Sequence, residues 1–180
     1  VIVKTDRNAG GLPERRLKVA LGGRRARWAE ALRRRLPPRW TGRLPEGRYP
    51  TYPSLAAVPD WVWRRPELVV ERFHAERHGE LHALNQWHFL GSGSVVLTFL
   101  APGPVVKYAD QVARLPLHDE VPPEIRRRRA ELGFDYGKFD FLETPEGPRL
   151  LDANRTPWNS VPPSDPRMVI MAGGLAAFTG

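Results

Sequence analysis

The chain has 180 residues, the size of a single domain with a substantial core, and 41% of its residues are hydrophobic. It contains no cysteine, which excludes disulfide frameworks and thiolate chemistry and is compatible with a reducing cytosol. The net charge of +8 comes from 28 basic residues, of which only four are lysines. No apolar run approaches the roughly 20 residues that span a bilayer, and no signal peptide is visible, so we expect a cytoplasmic protein without a membrane partner.

The first third of the chain predicts one strand, one helix and an irregular segment. Val1 to Thr5 predicts a strand, and because the chain enters this strand directly, we expect an N-terminal part of the protein to precede Val1. Residues 24–36 predict a helix with an apolar stripe that includes Trp28 and Leu32 and with arginines over much of its remaining surface. Residues 37–57 contain five prolines and predict an ordered loop or an insertion.

The rest of the chain predicts a mainly antiparallel architecture. Strands are expected at residues 66–73, 80–90, 95–100 and 105–107, and helices at residues 120–132 and 165–178. Between residues 80 and 90 the side chains alternate, so that His82, Gln86 and His88 share one face. Consecutive antiparallel strands with few helices indicate the α+β class.

The most informative stretch is a predicted β-hairpin over residues 138–154, with turn-forming residues at Thr144–Pro148. Alternation places three residues of each arm on one face: Lys138, Asp140 and Leu142 in the first arm, and Leu150, Asp152 and Asn154 in the second. A turn centred on Glu146 pairs Glu143 with Arg149, Asp140 with Asp152, and Lys138 with Asn154.

Two carboxylates that face each other across a hairpin require a compensating cation, because directly opposed like charges destabilise a sheet. A hard divalent ion held by one or two carboxylates and an amide oxygen, with phosphates completing its shell, fits Mg²⁺. The alternative is that both aspartates lie on a solvated face and repel each other weakly. The register matters here, because a one-residue change in the turn sends one aspartate to the opposite face.

A glycine-containing loop after the first strand is a candidate phosphate site. Lys4 ends the strand, and Asn8, Gly10 and Gly11 follow it. Backbone N–H groups of such a loop can approach a phosphate while the lysine supplies a point charge. The alternative is a glycine-rich turn with a lysine whose ammonium reaches water.

The segment at residues 68–73 is a candidate adenine-binding hinge. Glu71 can accept from the adenine amino group, while Arg72 and Phe73 offer backbone groups in an extended conformation. Glu76 would then reach a ribose. The alternative is an edge strand with its charged residues facing solvent.

Two further patterns indicate other ligands only weakly. His74, His78 and His82 have the spacing of zinc ligands on a helix, but Gly79 and the alternation after it disfavour a helix there. Arg126 to Arg129 are consecutive helical positions that point in four directions, which favours a solvated helix face. The arginine-rich helix at residues 24–36 lacks interleaved exposed aromatic residues for base stacking, which disfavours nucleic acid as a partner.

Taken in order, these segments resemble the ATP-grasp superfamily over nearly the whole chain. The string Val1-Ile-Val-Lys4 and the loop after it look like the family's phosphate-binding strand and loop, and residues 68–73 look like its adenine hinge. Residues 87–107 are similar to the central strands of its large subdomain. The hairpin strands, Tyr136–Asp140 and Leu151–Pro157, resemble its metal-binding strands. The resemblance implies a partial small subdomain with an insertion at residues 1–73 and a large subdomain with the metal site at residues 74–180.

The resemblance also implies an activity and roles for individual residues. Asp140, Asp152 and Asn154 would bind Mg²⁺, and Lys4 and Lys107 would lie at the phosphates of ATP. Lys138 would stabilise charge on a transferring phosphoryl group. The implied enzyme is an ADP-forming ligase that activates a carboxylate as an acyl phosphate for attack by an amine, by positioning and electrostatic neutralisation.

Some positions depart from the family pattern, and other functions stay open. Asp152 stands where the family has Glu, Asn85 where related sequences often have Arg, and Lys138 where arginine is usual. The alternatives are an ATP-grasp kinase for a small molecule, a basic nucleic-acid-binding module, and an ATP-grasp scaffold that binds a partner without turnover. Without the expected N-terminal part, this portion alone is expected to be inactive.

Overall fold

In the computed structural model of the protein, the described residues are 1–6, 17, 19–41, 44, 49–107, 110–157 and 161–178, without the side chain of Arg34. They form two compact units, Val1–Phe73 and His74–Gly180, and each is described by itself. The assignment of these units to the two ATP-grasp subdomains stays a prediction. None of the helices in the described ranges is long and apolar enough to cross a membrane.

The first unit is built on a two-stranded antiparallel sheet of β1 (Ile2–Thr5) and β2 (Leu68–Glu71). Val3 of β1 is fully buried and forms a small core with Val58 and Val62. Both strands were predicted from their apolar runs, and both are confirmed with shorter limits.

The helices of the first unit are α1 (Gly23–Arg35), α2 (Pro38–Thr41) and α3 (Asp60–Trp63). The α1 prediction is confirmed, but two residues of its apolar stripe are strongly exposed, Trp28 at 76% and Leu32 at 63%. The prediction that this helix lacks an exposed aromatic residue is therefore wrong. The single helical turn α2 also interrupts a segment that we predicted to be without regular structure, because proline suits the first turn of a helix.

The second unit contains a six-stranded antiparallel sheet. Its strands are β3 (Glu76–His78), β4 (Leu81–Leu90), β5 (Gly93–Ala101), β6 (Ala113–Arg114), β7 (Tyr136–Thr144) and β8 (Gly147–Asn154). In space the order is β6-β5-β4-β7-β8, and β3 also pairs with β4. This sheet with its flanking helices confirms the α+β class. Since His78 and His82 lie on paired strands, the helical zinc spacing does not form, as Gly79 and the alternation indicated.

One face of this sheet carries an aromatic core. Trp87 and Phe89 of β4 lie beside Phe139 and Phe141 of β7, all four at most 1% exposed, and the rings meet mostly edge to face. The helix α4 (Pro123–Leu132) covers this face, with Ile125 in the same cluster. Proline in its first turn and Gly133 in the left-handed conformation after its last residue account for its limits.

The opposite face is covered over β5 by the helix α5 (Pro166–Ala172) and the 3₁₀ segment Gly173–Phe178. We predicted one closing helix at this place, and the glycines at 173 and 174 divide it. A Cβ atom at Gly174 would overlap the backbone carbonyl oxygen of Leu90, and one at Gly93 would lie 2.6 Å from the carbonyl oxygen of Ile170. The backbones therefore touch where these two glycines meet.

The β7–β8 hairpin confirms two of the three predicted residue pairs. Asp140 pairs with Asp152, and Lys138 pairs with Asn154. The third prediction is wrong, because Arg149 pairs with Leu142 instead of Glu143. The turn is one residue tighter than predicted, and a bulge at Leu151 restores the predicted register on the far side.

Because of the bulge, the face predicted for Leu150 is wrong. Leu150 pairs with Phe141 and packs against the aromatic core, so it does not share a face with Asp152. A second correction concerns residues 105–107, which are irregular instead of a strand. The prolines at 102 and 104 provide the physical reason, since proline cannot donate to a strand ladder.

Candidate functional site

The face of the sheet that α5 covers over β5 carries polar residues on the neighbouring strands β4, β7 and β8. The pairing of these strands creates two cross-strand rows on this face: Gln86–Asp140–Asp152 and His88–Lys138–Asn154. Alternation keeps the apolar partners Phe139 and Phe141 on the core face. The sequence predicted the β7 and β8 members of both rows, and the pairing with β4 adds Gln86 and His88.

Lys138 and Asp140 form an ion pair at the centre of this face. The distance from Lys138 Nζ to Asp140 Oδ2 is 2.8 Å, and both side chains are 17% exposed. Burial raises the pKa of Asp140 above its usual value, and the nearby carboxylate of Asp152 raises it further, while Lys138 and Gln86 act in the opposite direction. The positive charge of Lys138 therefore does not fully compensate for the burial of the Asp140 carboxylate.

The second carboxylate oxygen of Asp140 is stronger evidence than the pKa that a ligand is missing from this face. Asp140 Oδ1 is buried and makes no hydrogen bond of good geometry with any described residue, although the Gln86 side chain lies close enough to lower the pKa of Asp140. A buried acceptor without a partner is costly and uncommon in folded proteins. A cation or a water molecule at this place would satisfy it.

The β8 residues of the site are more open to solvent. Asp152 is exposed, and Asn154 is half-buried. Asn154 Oδ1 accepts a hydrogen bond of 2.8 Å from the backbone N–H of Thr156, which orients the amide. This oxygen has a second lone pair, so the bond does not exclude a metal ion.

His88 lies in the same row as Lys138 and is a site residue that our sequence analysis did not select. It is 8% exposed, and its Nε2 atom has no hydrogen-bond partner in the described part of the chain. Burial lowers its pKa to about 4, and the positive charges of Lys138 and Arg167 contribute. The imidazole is therefore neutral at pH 7. Its position in the alternation was visible in the sequence, but its neighbour on β7 was not.

The donor set at this face fits a magnesium ion. It offers two carboxylates and one amide oxygen, and one buried carboxylate oxygen has no partner among the described residues. The residues that would hold the ion are Asp140, Asp152 and Asn154, with Lys138 beside them. Within the described ranges, no group of three or more His, Asp or Glu side chains is placed to hold a metal ion, so phosphates and water would complete the shell.

Glu76 is engaged in hydrogen bonds within the sheet. Its Oε2 atom accepts hydrogen bonds of 2.7 Å from Asn85 Nδ2 and from the backbone N–H of Glu143. Asn85 is buried and in turn accepts from Thr98 Oγ1 at 2.6 Å. Burial raises the pKa of Glu76, and the hydrogen bond from Glu143 opposes this effect. Glu76 and Asn85 thus connect β3, β4 and β5, and the ribose role of Glu76 stays a prediction.

In the first unit, Lys4 and Glu71 bind each other. Lys4 Nζ lies 2.7 Å from a carboxylate oxygen of Glu71, with side chains 35% and 44% exposed. The predicted phosphate lysine and the predicted adenine acceptor are thus neighbours on the paired strands β1 and β2. Arg72 and Phe73 follow β2 in an irregular segment. Asn8, Gly10 and Gly11 lie outside the described residues.

Lys107 lies in the second unit and is half-buried. Burial lowers the pKa of its ammonium group, while Asp110 acts to raise it. A phosphate beside this lysine would favour its charged form, and the contact of Lys107 with the phosphates of ATP stays a prediction.

The comparisons with known proteins return no match, either to a family model or to a curated protein. The ATP-grasp resemblance therefore depends on the residues of the chain alone.

Proposed function

We propose that the chain is the ATP-binding portion of an ADP-forming ATP-grasp ligase that uses Mg²⁺. The observation that supports this proposal most directly is the register of the β7–β8 hairpin, which brings Asp140 opposite Asp152 on one face, with Lys138 and Asn154 in the next pair. On a fully solvated face water would reach both carboxylate oxygens, whereas Asp140 Oδ1 is buried and has no hydrogen-bond partner in the described part of the chain.

The chemistry proposed for this site is mainly electrostatic. A bound Mg²⁺ would neutralise phosphate charge and help to orient the nucleotide. Asp140, Asp152 and Asn154 would hold the ion, and Lys138, already fixed by Asp140 at 2.8 Å, would face the phosphate that is transferred. The neutral His88 adds no charge of its own beside Lys138 at pH 7. The substrates would be a small carboxylate, activated as an acyl phosphate, and an amine.

The test is magnesium-dependent ATP binding by the complete protein, measured by calorimetry. Replacing Asp152 with Ala removes one proposed ligand and should lower the affinity for MgATP by about tenfold to a hundredfold. Glu143→Gln is the matched control, because Glu143 is an exposed acidic residue of the same hairpin whose side chain belongs to the opposite face. If Asp152→Ala and Glu143→Gln bind MgATP equally well, the metal assignment is wrong.

A small-molecule kinase of the same superfamily would have the same metal site. Trapping with hydroxylamine distinguishes the two reactions, because it converts an acyl phosphate to a hydroxamate. A hydroxamate that forms only in the presence of ATP and a carboxylate supports the ligase, whereas a stable phosphorylated product supports the kinase.

A nucleic-acid-binding module is the second candidate function, and one observation favours it. Trp28 is 76% exposed on the arginine-rich helix α1, so this helix has both components of a single-strand binding surface, positive charge and an aromatic ring. This function predicts binding that weakens steeply with salt and does not respond to ATP.

A further inference from the structure

A surface cleft lies on the face of the second-unit sheet opposite the hairpin site. Its volume is about 370 Å³, within the range of small-ligand sites. The lining comes from β4, from α4 and from the segment after α4: Trp87, Arg126, Arg129, Ala130, Gly133, Phe134 and Asp135. The cleft is therefore separate from the proposed nucleotide site, and its ligand would be a further one.

Two of the four consecutive arginines of α4 turn toward this cleft. Arg127 and Arg128 form ion pairs with Glu131, as expected on a solvated face. Arg126 and Arg129 instead lie over the Trp87 ring, with guanidinium carbons 5.7 and 5.4 Å from its centroid. The prediction of a solvated face thus applies to half of this run.

Both guanidinium groups are fixed by backbone carbonyls and still have a free end. Arg126 donates from Nε and one Nη atom to Val121 and Asp119, and Arg129 donates in the same way to Phe134 and Gly91. Among the described residues, the second Nη atom of each has no hydrogen-bond partner, and neither group has an ion-pair partner. Two cations held rigidly side by side are preorganised for an anion.

A third donor in the lining also lacks a partner. Trp87 is 1% exposed, and its Nε1–H makes no hydrogen bond with any described residue. Buried indole N–H groups are normally bonded, so this one indicates a missing acceptor. Both guanidinium groups lie over the Trp87 ring, so the indole N–H resonance is a reporter of anion binding in the cleft.

The end of helix α4 does not oppose an anion strongly, although helix C-termini carry partial negative charge. The carbonyls of Arg129 and Ala130 accept from the backbone of Phe134 and Gly133. The carbonyl of Leu132 accepts from Arg155, whose guanidinium lies 4.3 Å from the centroid of the Phe134 ring. Three of the last four carbonyls are thus hydrogen-bonded, and a third cation lies beside the lining.

We propose that this cleft binds an oxyanion, the phosphate or carboxylate group of a small molecule, between the free ends of Arg126 and Arg129. Burial lowers the pKa of Arg129, the carboxylate of Asp135 opposes this effect, and the positive charge of Arg126 adds to it, as expected for two cations held close together. Asp135 carries the one carboxylate in the lining and limits the affinity by repulsion.

The test is a titration of the complete protein with sodium phosphate and, separately, with sodium acetate at constant ionic strength. The readout is the indole N–H resonance of Trp87 in ¹⁵N correlation spectra, assigned with Trp87→Phe. We expect a saturable shift, and the stronger of the two anions identifies the ligand group. Absence of a saturable shift with either anion up to about 0.1 M overturns the proposal.

Three variants make the result specific. Arg126→Gln should weaken binding about tenfold, whereas Arg128→Gln, which removes the same charge from the other side of α4, should not change it. Asp135→Asn should strengthen binding, and this holds as a test even if Arg126→Gln fails to fold. Equal losses in Arg126→Gln and Arg128→Gln would show general charge attraction and contradict a site. Asp152→Ala should leave this titration unchanged, so it separates the cleft from the nucleotide site.

Discussion

At the scale of single residues, His88 is the most unusual group in the second unit. It is buried beside Lys138 and Arg167, and its pKa is lowered to about 4. A base whose folded pKa lies below its unfolded value contributes stability that is fully present above the unfolded pKa. That contribution is lost as the pH falls from about 6.5 toward 4.

Replacing His88 with Gln should therefore flatten the acid side of the stability profile. Glutamine does not titrate, so the variant should lack the loss of about 3 kcal/mol that the wild-type histidine causes between pH 6.5 and 4. Urea unfolding at several pH values measures this slope. His82→Gln is the control, because His82 belongs to the same strand and face but is only half-buried. Parallel profiles for wild type and His88→Gln would contradict the assignment of a buried neutral imidazole.

The sequence predicted the charged residues of the site better than it predicted the histidine. Lys138 and Asp140 stand out because they interrupt an apolar alternation, and Asp152 does the same in the second arm of the hairpin. His88 shows the same alternation, but its role depends on the pairing of β4 with β7, strands that are 45 residues or more apart in sequence. Such nonlocal pairing has no local signal, because a strand of β4's composition can pair on either side.

At the scale of elements, the bulge in β8 determines which residues reach the site. Leu150 faces the aromatic core and Asp152 faces the polar rows, although they are two residues apart. In a regular strand they would share a face. Leu151 is the extra residue, since Phe141 pairs with Leu150 and Asp140 pairs with Asp152.

Two single-residue deletions in β8 should affect MgATP binding differently. Deleting Leu151 removes the unpaired residue and leaves Asp152 opposite Asp140, so MgATP binding should persist. Deleting Ala153 moves Asn154 to the opposite face and should weaken MgATP binding about tenfold or more. Calorimetry measures both affinities, and thermal melting followed by circular dichroism shows whether each variant is folded. Loss of binding in the Leu151 deletion, with the fold retained, would contradict this register argument.

The bulge explains why the hairpin prediction gave the correct pairs at the site but a wrong pair near the turn. Turn-forming residues at Thr144–Pro148 indicated a turn but not its length. The actual turn is one residue shorter than predicted, and the extra residue at Leu151 compensates for this difference. Composition does not reveal a bulge without glycine. The pairing at the site was therefore predicted correctly only because the shorter turn and the bulge, neither of them predicted, offset each other.

At the scale of the whole molecule, the basic residues are mainly arginines, and runs of them lie on one helix of each unit. The helices α1 and α4 have three consecutive arginines or more each. Their surroundings differ, because α1 has an exposed tryptophan, whereas α4 uses two of its arginines against the aromatic core. A net charge of +8 predicts general attraction to polyanions whichever function is correct.

Nucleic-acid binding should therefore be weak, nonspecific and strongly dependent on salt. Under the proposed ligase function, Arg24→Gln with Arg25→Gln should weaken binding of a single-stranded oligonucleotide as much as Arg127→Gln with Arg128→Gln does, because each pair removes two charges. Fluorescence anisotropy at several salt concentrations measures both slopes. A selective loss in the α1 pair, together with a loss in Trp28→Ala, would favour the nucleic-acid-binding module.

The α+β class was predictable because successive alternating segments and turn residues indicate antiparallel pairing locally. The exposure of Trp28 and Leu32 was not, since an apolar stripe at helical spacing normally indicates a buried face. What lies against such a stripe depends on the rest of the molecule, which periodicity does not describe.

The contact between Gly93 and Gly174 has a consequence for how this sequence can vary. Because main chain touches main chain there, any side chain at either position must displace β5 or the segment formed by α5 and the 3₁₀ turns after it. The apolar residues around them, such as Met171 and Leu97, can exchange with others of similar volume. In distant relatives we therefore expect the two glycines to be retained while their apolar neighbours change, which makes a spaced glycine pair a better search pattern than the composition of the helix.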